Sequence, residues 1–86
     1  MILETILVAL LSVENLSNFE LEKYYWDCDT TYMKQELNGQ DFNSCLSITE
    51  MFIFKIFNND KDLFMQYWYK NHNTEWNKRG YIDKTV

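Results

Sequence analysis

The feature that most constrains the fold is residues 47–72, where large apolar and aromatic side chains crowd around one polar break at residues 58–60. If this segment is helical, residues 48–58 place Phe and Ile side chains on one face, and residues 61–72 repeat that face. Ser47-Ile48-Thr49-Glu50 has the spacing of a capping box and predicts a helix start. Two helices joined by so short a connection pack on each other, so the segment predicts a helical hairpin.

The same segment also allows a strand interpretation. Residues 51–57 are rich in Phe and Ile, and residues 63–69 contain an alternating pattern, which fits two strands joined by a loop at 58–62. The capping boxes, the absence of proline and the presence of only 2 glycines favour helices. The predicted fold class is therefore mainly α, a compact small bundle of three to five short helices. The alternative is an α+β fold with a hairpin at 51–69.

Two further helices are predicted before this segment. Residues 2–13 carry apolar side chains at helical spacing, in a stripe wide enough for a core helix or for the seam of a homodimer. Ser17 and Glu20 form another capping box, which predicts a helix that begins at Asn18 and runs to about Asp29.

The end of that helix is ambiguous. It can continue to Leu37 and end at Asn38-Gly39, with Gly39 in the left-handed cap position. Alternatively, Asn38-Gly39 forms a tight turn between strands 30–37 and 40–46. Residues 39–46 are predicted as a loop with Phe42 and Leu46 tucked inward, and residues 73–80 as a last short helix.

The composition is typical of a folded globule, with 47% hydrophobic and 17% aromatic residues. At 86 residues, the chain predicts a single compact domain over residues 1–86, with the tail frayed from about residue 81.

The two cysteines, Cys28 and Cys45, are too few for a disulfide framework, and we expect two half-buried free thiols. The apolar N-terminal stretch has no preceding Lys or Arg and no small-residue cleavage site, and it is too short to span a bilayer. These features predict a protein of the host-cell cytoplasm that does not enter a membrane.

The net charge of −5 is unevenly distributed. Residues 1–50 hold two lysines against nine acidic residues, whereas residues 51–86 hold six basic residues against four acidic ones. An acidic chain is poorly suited to phosphate backbones and better suited to a basic partner. We therefore expect the partner to be a host protein with a basic surface, and we expect no direct binding to nucleic acid.

One segment combines acidic side chains with three consecutive bulky aromatics. Neighbouring helical residues point about 100° apart, so the three aromatics cannot all face one core, and at least one should be partly exposed. Aromatic side chains beside acids can bind a basic protein surface. The alternative places two of the aromatics in the core and the third on the surface. The predicted partner-binding residues are Glu20, Glu22, Tyr24, Tyr25, Trp26, Asp27 and Asp29.

A second segment, near the C-terminus, interleaves aromatic and basic side chains. Such a pattern can stack and hold single-stranded nucleic acid. The alternative is core packing followed by a solvated tail. The residues of this alternative site are Tyr69, Lys70, Trp76, Lys78 and Arg79.

No motif predicts an enzyme. The single histidine, His72, lies in a polar setting that is more typical of a helix end than of a catalytic base. Gly39 and Gly80 stand alone, which excludes a phosphate-cradling glycine loop. Asp27-x-Asp29 lacks the later glycine and acid of a calcium loop. We expect no catalytic residue, no metal and no cofactor.

The amino-acid usage favours residues with AT-rich codons, such as Ile, Lys, Asn, Phe and Tyr, over Gly, Ala, Pro and Arg. It therefore indicates an AT-rich genome, as in many phages and plasmids. Together with the small size and acidic charge, it suggests a non-catalytic binding or inhibitor protein, encoded by a phage or mobile element. Such a protein would occlude a host nuclease, polymerase subunit or defence effector. The alternatives are a nucleic-acid-associated regulator and a structural oligomerisation subunit that uses residues 2–13.

Overall fold

The computed structural model describes residues 15–82, which form three α-helices: α1 (Asn18–Met33), α2 (Gly39–Phe57) and α3 (Lys61–Lys78). This confirms the predicted mainly α bundle. Residues 51–69 are helical apart from the connection between α2 and α3, so the alternative strand hairpin is wrong. The predicted helix over residues 2–13, with its proposed homodimer seam, lies outside the described residues.

The helix α1 begins at the predicted capping box. The Glu20 backbone N–H donates to the Ser17 hydroxyl, and the Ser17 N–H donates to the Glu20 carboxylate, both at 3.1 Å. These bonds lower the pKa of Glu20, because they favour its charged form. The helix ends at Met33, and Gln35 takes the left-handed conformation with φ 61°. The chain therefore turns several residues before Gly39.

The helix α2 begins earlier than predicted, because Asn38 caps it. The Asn38 side chain accepts a hydrogen bond from the Asp41 N–H at 2.8 Å, so Gly39 is the first helical residue and not a left-handed cap. The predicted loop at 39–46 and helix start at Ser47 are wrong. Ser47 lies inside α2, where the backbone N–H groups already have partners along the helix.

The predicted break between the last two helices is confirmed. Asn58 and Asn59 both have positive φ, at 53° and 62°, which reverses the chain. Asp60 then caps α3 by accepting hydrogen bonds from the Asp62 and Leu63 N–H groups. The helix α3 is continuous to Lys78, so the separate short helix predicted over residues 73–80 is part of it.

Aromatic rings dominate the core. Tyr25 stacks on Phe52 with ring centroids 4.9 Å apart, and the edge of Phe64 packs against Tyr25 at 5.5 Å. One ring from each helix thus meets at this point, and large rings give a short chain more buried apolar area per residue. The buried hydrophobic side chains are Leu21, Tyr25, Trp26, Phe52, Phe64 and Trp76.

Cys28 of α1 and Cys45 of α2 form a disulfide, with Cα atoms 5.6 Å apart. The prediction of two free thiols is therefore wrong. It failed because residues 39–46 were expected to form a loop, whereas the early start of α2 places Cys45 in a regular position opposite Cys28. No helix within residues 15–82 is long and apolar enough to cross a membrane.

Candidate functional site

A chain of hydrogen bonds joins α1 to α3 through Tyr67. The Trp26 indole N–H donates to the Tyr67 hydroxyl at 2.8 Å, and that hydroxyl donates to a Glu22 carboxylate oxygen at 2.8 Å. Burial raises the pKa of the Tyr67 phenol, and the Glu22 carboxylate adds to the rise. The phenol therefore keeps its proton, and the bond to Glu22 persists at neutral pH.

A second link between these helices centres on Asp29. One carboxylate oxygen of Asp29 accepts hydrogen bonds from two indole N–H groups, that of Trp76 at 2.8 Å and that of Trp68 at 3.4 Å. A buried indole N–H needs an acceptor, and hydrogen bonds to a charged acceptor are stronger than neutral ones. The role of Asp29 is therefore to hold the aromatic face of α3 against α1.

The end of α3 is tied to α1 by charge. The Arg79 guanidinium donates to Asp27 and to Glu75, both at 2.8 Å, and Lys34 donates to the Arg79 carbonyl oxygen at 2.8 Å. Although burial alone would lower the pKa of Arg79, these hydrogen bonds outweigh it and raise that pKa. Asp27 and Arg79 are thus committed to joining the two helices.

The acidic and aromatic residues predicted to bind a partner separate into an inner and an outer set. Tyr25 and Trp26 are buried, which leaves only Tyr24 half-exposed, beside the Lys23 ammonium. Every acid of the predicted site has an intramolecular partner. The inner set is Tyr25 and Trp26, and the outer set is Glu20, Glu22, Tyr24, Asp27 and Asp29.

The structure does not bring the aromatic and basic residues of the alternative nucleic-acid site onto one surface. Tyr69 and Lys70 are exposed, but Trp76 is buried in the core. Lys78 pairs with Glu75 at 3.3 Å, and Arg79 pairs with Asp27 and Glu75. A base has only Tyr69 available for stacking, so a stacking platform is not assembled there.

An apolar surface that the sequence analysis did not predict lies between α1 and α2. Phe42 and Leu46 are 42% and 44% exposed, and they line a shallow groove together with Tyr32, Leu37 and the disulfide. Phe54, 54% exposed, lies about 120° around α2 from Phe42 and lines a separate shallow depression with Glu50 and Met51. We call the surface made by Tyr32, Leu37, Phe42 and Leu46 the α2 groove.

Acidic side chains without internal partners lie on α2 and just before it. Among residues 15–82, the carboxylates of Glu36, Asp41 and Glu50 form no ion pair or hydrogen bond. Glu50 lines the depression beside Phe54, one helical turn along α2 from Leu46. No Lys or Arg occurs between residues 35 and 54. This part of the chain therefore carries negative charge that no Lys or Arg within it compensates.

The α2 groove was missed because its row of side chains depends on where α2 begins. With residues 39–46 as a loop, Phe42 and Leu46 were expected to fold inward. The signal that could have revealed the helix is Asn38, three residues before Asp41, a spacing suited to a helix N-terminus. Phe52 faces the core, so an early start of α2 leaves this row pointing away from it.

The single histidine and the Asp27-x-Asp29 motif both make contacts within the fold. His72 stacks on the Trp68 ring with centroids 4.2 Å apart, and its Nδ1 lies 3.0 Å from the Trp68 carbonyl oxygen. Within residues 15–82, no group of three or more His, Cys, Asp or Glu side chains could hold a metal ion. Both aspartates of the Asp27-x-Asp29 motif accept hydrogen bonds from side chains of the C-terminal region.

No protein-family model, curated protein or solved structure matches this chain.

Proposed function

We propose that this chain is a non-catalytic binding protein that occludes a basic surface on another protein. The observation that carries the proposal is the contrast between its two sets of acids. Those of α1 are used within the fold, whereas Glu36, Asp41 and Glu50 have no internal partner. Carboxylates left without compensation attract Lys and Arg side chains and speed association with a basic surface.

The binding surface belongs on α2 and not on the outer face of α1. On α1, Lys23 and Arg79 stand beside Tyr24 and Asp27 and reduce the negative potential. A partner that engaged Asp27 would also have to break its bond to Arg79, which costs free energy. A partner that engaged Glu36 or Glu50 would not have to break an internal bond of either residue.

The proposed partner class is a host nuclease, polymerase subunit or defence effector, and the proposed source is a phage or mobile element. All three target classes present basic surfaces to nucleic acid, which an acidic protein can cover. The support is the net charge of −5, the small size and the AT-rich residue usage.

The compartment follows from Cys28 and Cys45. Disulfides persist in oxidising compartments and are rare in the cytoplasm. We therefore propose that the protein acts in an oxidising compartment and not, as the sequence suggests, in the host cytoplasm; of the proposed partner classes, a nuclease outside the cytoplasm is the one it would meet there. Alkylation of free thiols directly on lysis of the natural source, followed by intact-mass measurement, tests this. Unmodified cysteines in the isolated protein are expected, whereas doubly alkylated protein would contradict the proposal.

Affinity capture with matched variants tests the binding function. The variant Glu36→Gln/Glu50→Gln removes charge on and just before α2, and Gln66→Lys/Asn73→Lys shifts the net charge equally on exposed positions of α3. Immobilised wild-type protein should retain one stoichiometric host protein, and the first variant should lose it. The second variant should retain it. Equal capture by both variants would show that the location of the acids is irrelevant and would contradict the proposal.

The two alternatives from the sequence have weaker support. The nucleic-acid site would use Trp76, which is buried, and Arg79, which is paired. A gel shift of an oligonucleotide at low salt that disappears as the salt concentration rises would support the nucleic-acid site. The oligomerisation subunit would use residues 2–13, which lie outside the described residues, so it stays a prediction.

A further inference from the structure

We infer that α2 has two alternative starts and that the disulfide between Cys28 and Cys45 selects between them. With the bond intact, the helix begins at Gly39. With the bond reduced, residues 39–46 open and the helix begins at Ser47. The two starts are a property of the fold and do not depend on the proposed function. They make the fold respond to the redox state of its surroundings.

The first half of α2 is weakly attached to the rest of the fold. None of residues 39–47 is buried, and Ile48 is the first apolar side chain of α2 that packs against the aromatic core. Phe42 and Leu46 are only partly covered. In the part of the chain that the structure describes, the disulfide is the one bond from residues 39–47 to another helix. A helical segment this short is marginally stable without such an attachment.

The residues that would begin the shorter helix are already present. Ser47 and Glu50 have the spacing of a capping box, like Ser17 and Glu20, which begin α1 with both reciprocal hydrogen bonds. This second box is unused in the long helix. The Ser47 hydroxyl bonds back to a carbonyl oxygen within α2, and the Glu50 carboxylate has no internal partner. Opening of residues 39–46 frees both side chains to cap the helix that remains.

The shorter helix keeps the part of α2 that belongs to the core. Phe52 and Phe57, which form the ring contacts of α2 with the other helices, both follow Ser47 in the chain. The α2 groove behaves differently, because Phe42 and Leu46 lie in the segment that opens. The α2 groove is therefore present only in the oxidised protein.

The step that switches the helix is a two-electron reduction by a dithiol. Cys28 and Cys45 are half-buried and line the α2 groove, so a small dithiol can reach them. A thiolate of the dithiol attacks one sulfur, which breaks the S–S bond and forms a mixed disulfide. The second thiol of the reductant then displaces the protein sulfur. Two electrons and two protons pass to the protein, which is left with two thiols, and the dithiol becomes a disulfide.

Amide hydrogen exchange followed by NMR tests the inference, with and without dithiothreitol. Comparing each exchange rate with that of an unstructured chain gives the ratio of open to helical molecules at that residue. On reduction, this ratio at residues 43–47 should rise by about tenfold or more, because local opening needs less free energy than global unfolding. In the reduced protein it should also exceed the ratio at residues 53–57 by at least that factor, since those residues open only with the core.

A matched pair of variants tests the second start. Ser44 and Ser47 both donate at 3.4 Å to the carbonyl oxygen four residues earlier, so replacing either by Ala changes the long helix in the same way. Only Ser47→Ala also removes the cap of the short helix. In the reduced protein, Ser47→Ala should lower the ratio of open to helical molecules at residues 43–47 by about fivefold relative to Ser44→Ala, the usual effect of losing an N-cap.

Three results would overturn the inference. If both thiols are free and the ratio at residues 43–47 has not changed, the disulfide does not hold this segment. Equal ratios at residues 43–47 and 53–57 in the reduced protein would mean that the whole domain opens as one unit. Equal effects of Ser44→Ala and Ser47→Ala would mean that α2 has no second start.

Discussion

The disulfide between Cys28 and Cys45 makes a quantitative prediction about stability. Replacing both residues by Ser removes a cross-link between positions 17 apart in the sequence. In the chain-entropy account, a closed loop of this size restricts the unfolded chain and stabilises the fold by about 3 kcal/mol at 25 °C. For a domain of this size, that loss lowers the melting temperature by roughly 12 to 24 °C.

Urea unfolding followed by tryptophan fluorescence measures the effect, since Trp26 and Trp76 are buried and report exposure directly. The single variants Cys28→Ser and Cys45→Ser should each lose as much stability as the double variant, because any one of them breaks the same bond. A reducing agent should destabilise the wild-type protein to the same extent and leave the double variant unaffected.

The reasoning would be refuted by one combination of results. Suppose that thiol titration shows both cysteines released by the reductant, while the urea midpoint of the wild-type protein does not move. The cross-link would then contribute nothing to stability, and the entropy argument would be wrong for this chain.

Three further predictions concern the interior. Tyr67→Phe leaves the Trp26 indole N–H and the Glu22 carboxylate without their shared partner and should lower the free energy of unfolding by about 1 to 3 kcal/mol. Urea unfolding measures this loss. The variant Phe57→Leu, at a ring that contacts Tyr67, controls for changes in packing. Thr30→Val should raise the free energy of unfolding by about 1 kcal/mol, because the Thr30 hydroxyl is buried without a partner in the described part of the chain. A lower urea midpoint than that of the wild-type protein would contradict this. Burial raises the folded-state pKa of Tyr25 and Tyr67, so the unfolded chain releases protons from them at lower pH than the folded chain does. The stability that these two tyrosines contribute is full below about pH 10, the ordinary tyrosine pKa, and declines as the pH rises beyond it. As the pH is raised from neutral, the free energy of unfolding of Tyr67→Phe should therefore fall less than that of the wild-type protein. An equal fall in the two proteins would contradict this.

The sequence alone determined the elements whose signals are local. The capping box at Ser17 lies within four residues of the helix start it predicts, and the break at residues 58–60 is set by side chains that favour left-handed and capping conformations. The mainly α class follows from the same kind of information. Each of these features is decided by residues that are neighbours in the chain, so a sequence is sufficient to find them.

Only the tertiary structure decided which side chains are available for function. Trp76 and Asp29, 47 positions apart, become hydrogen-bond donor and acceptor, and Asp27 and Arg79, 52 positions apart, become an ion pair. Such contacts give the acids of α1 partners within the fold, and burial removes Tyr25 and Trp26 from the surface. The start of α2 at Gly39 had the opposite effect on Phe42 and Leu46. The physical reason is that the exposure of a side chain depends on where the other helices lie. The positions of the helices are set by the burial of large rings from all three helices, and no local sequence pattern encodes that packing.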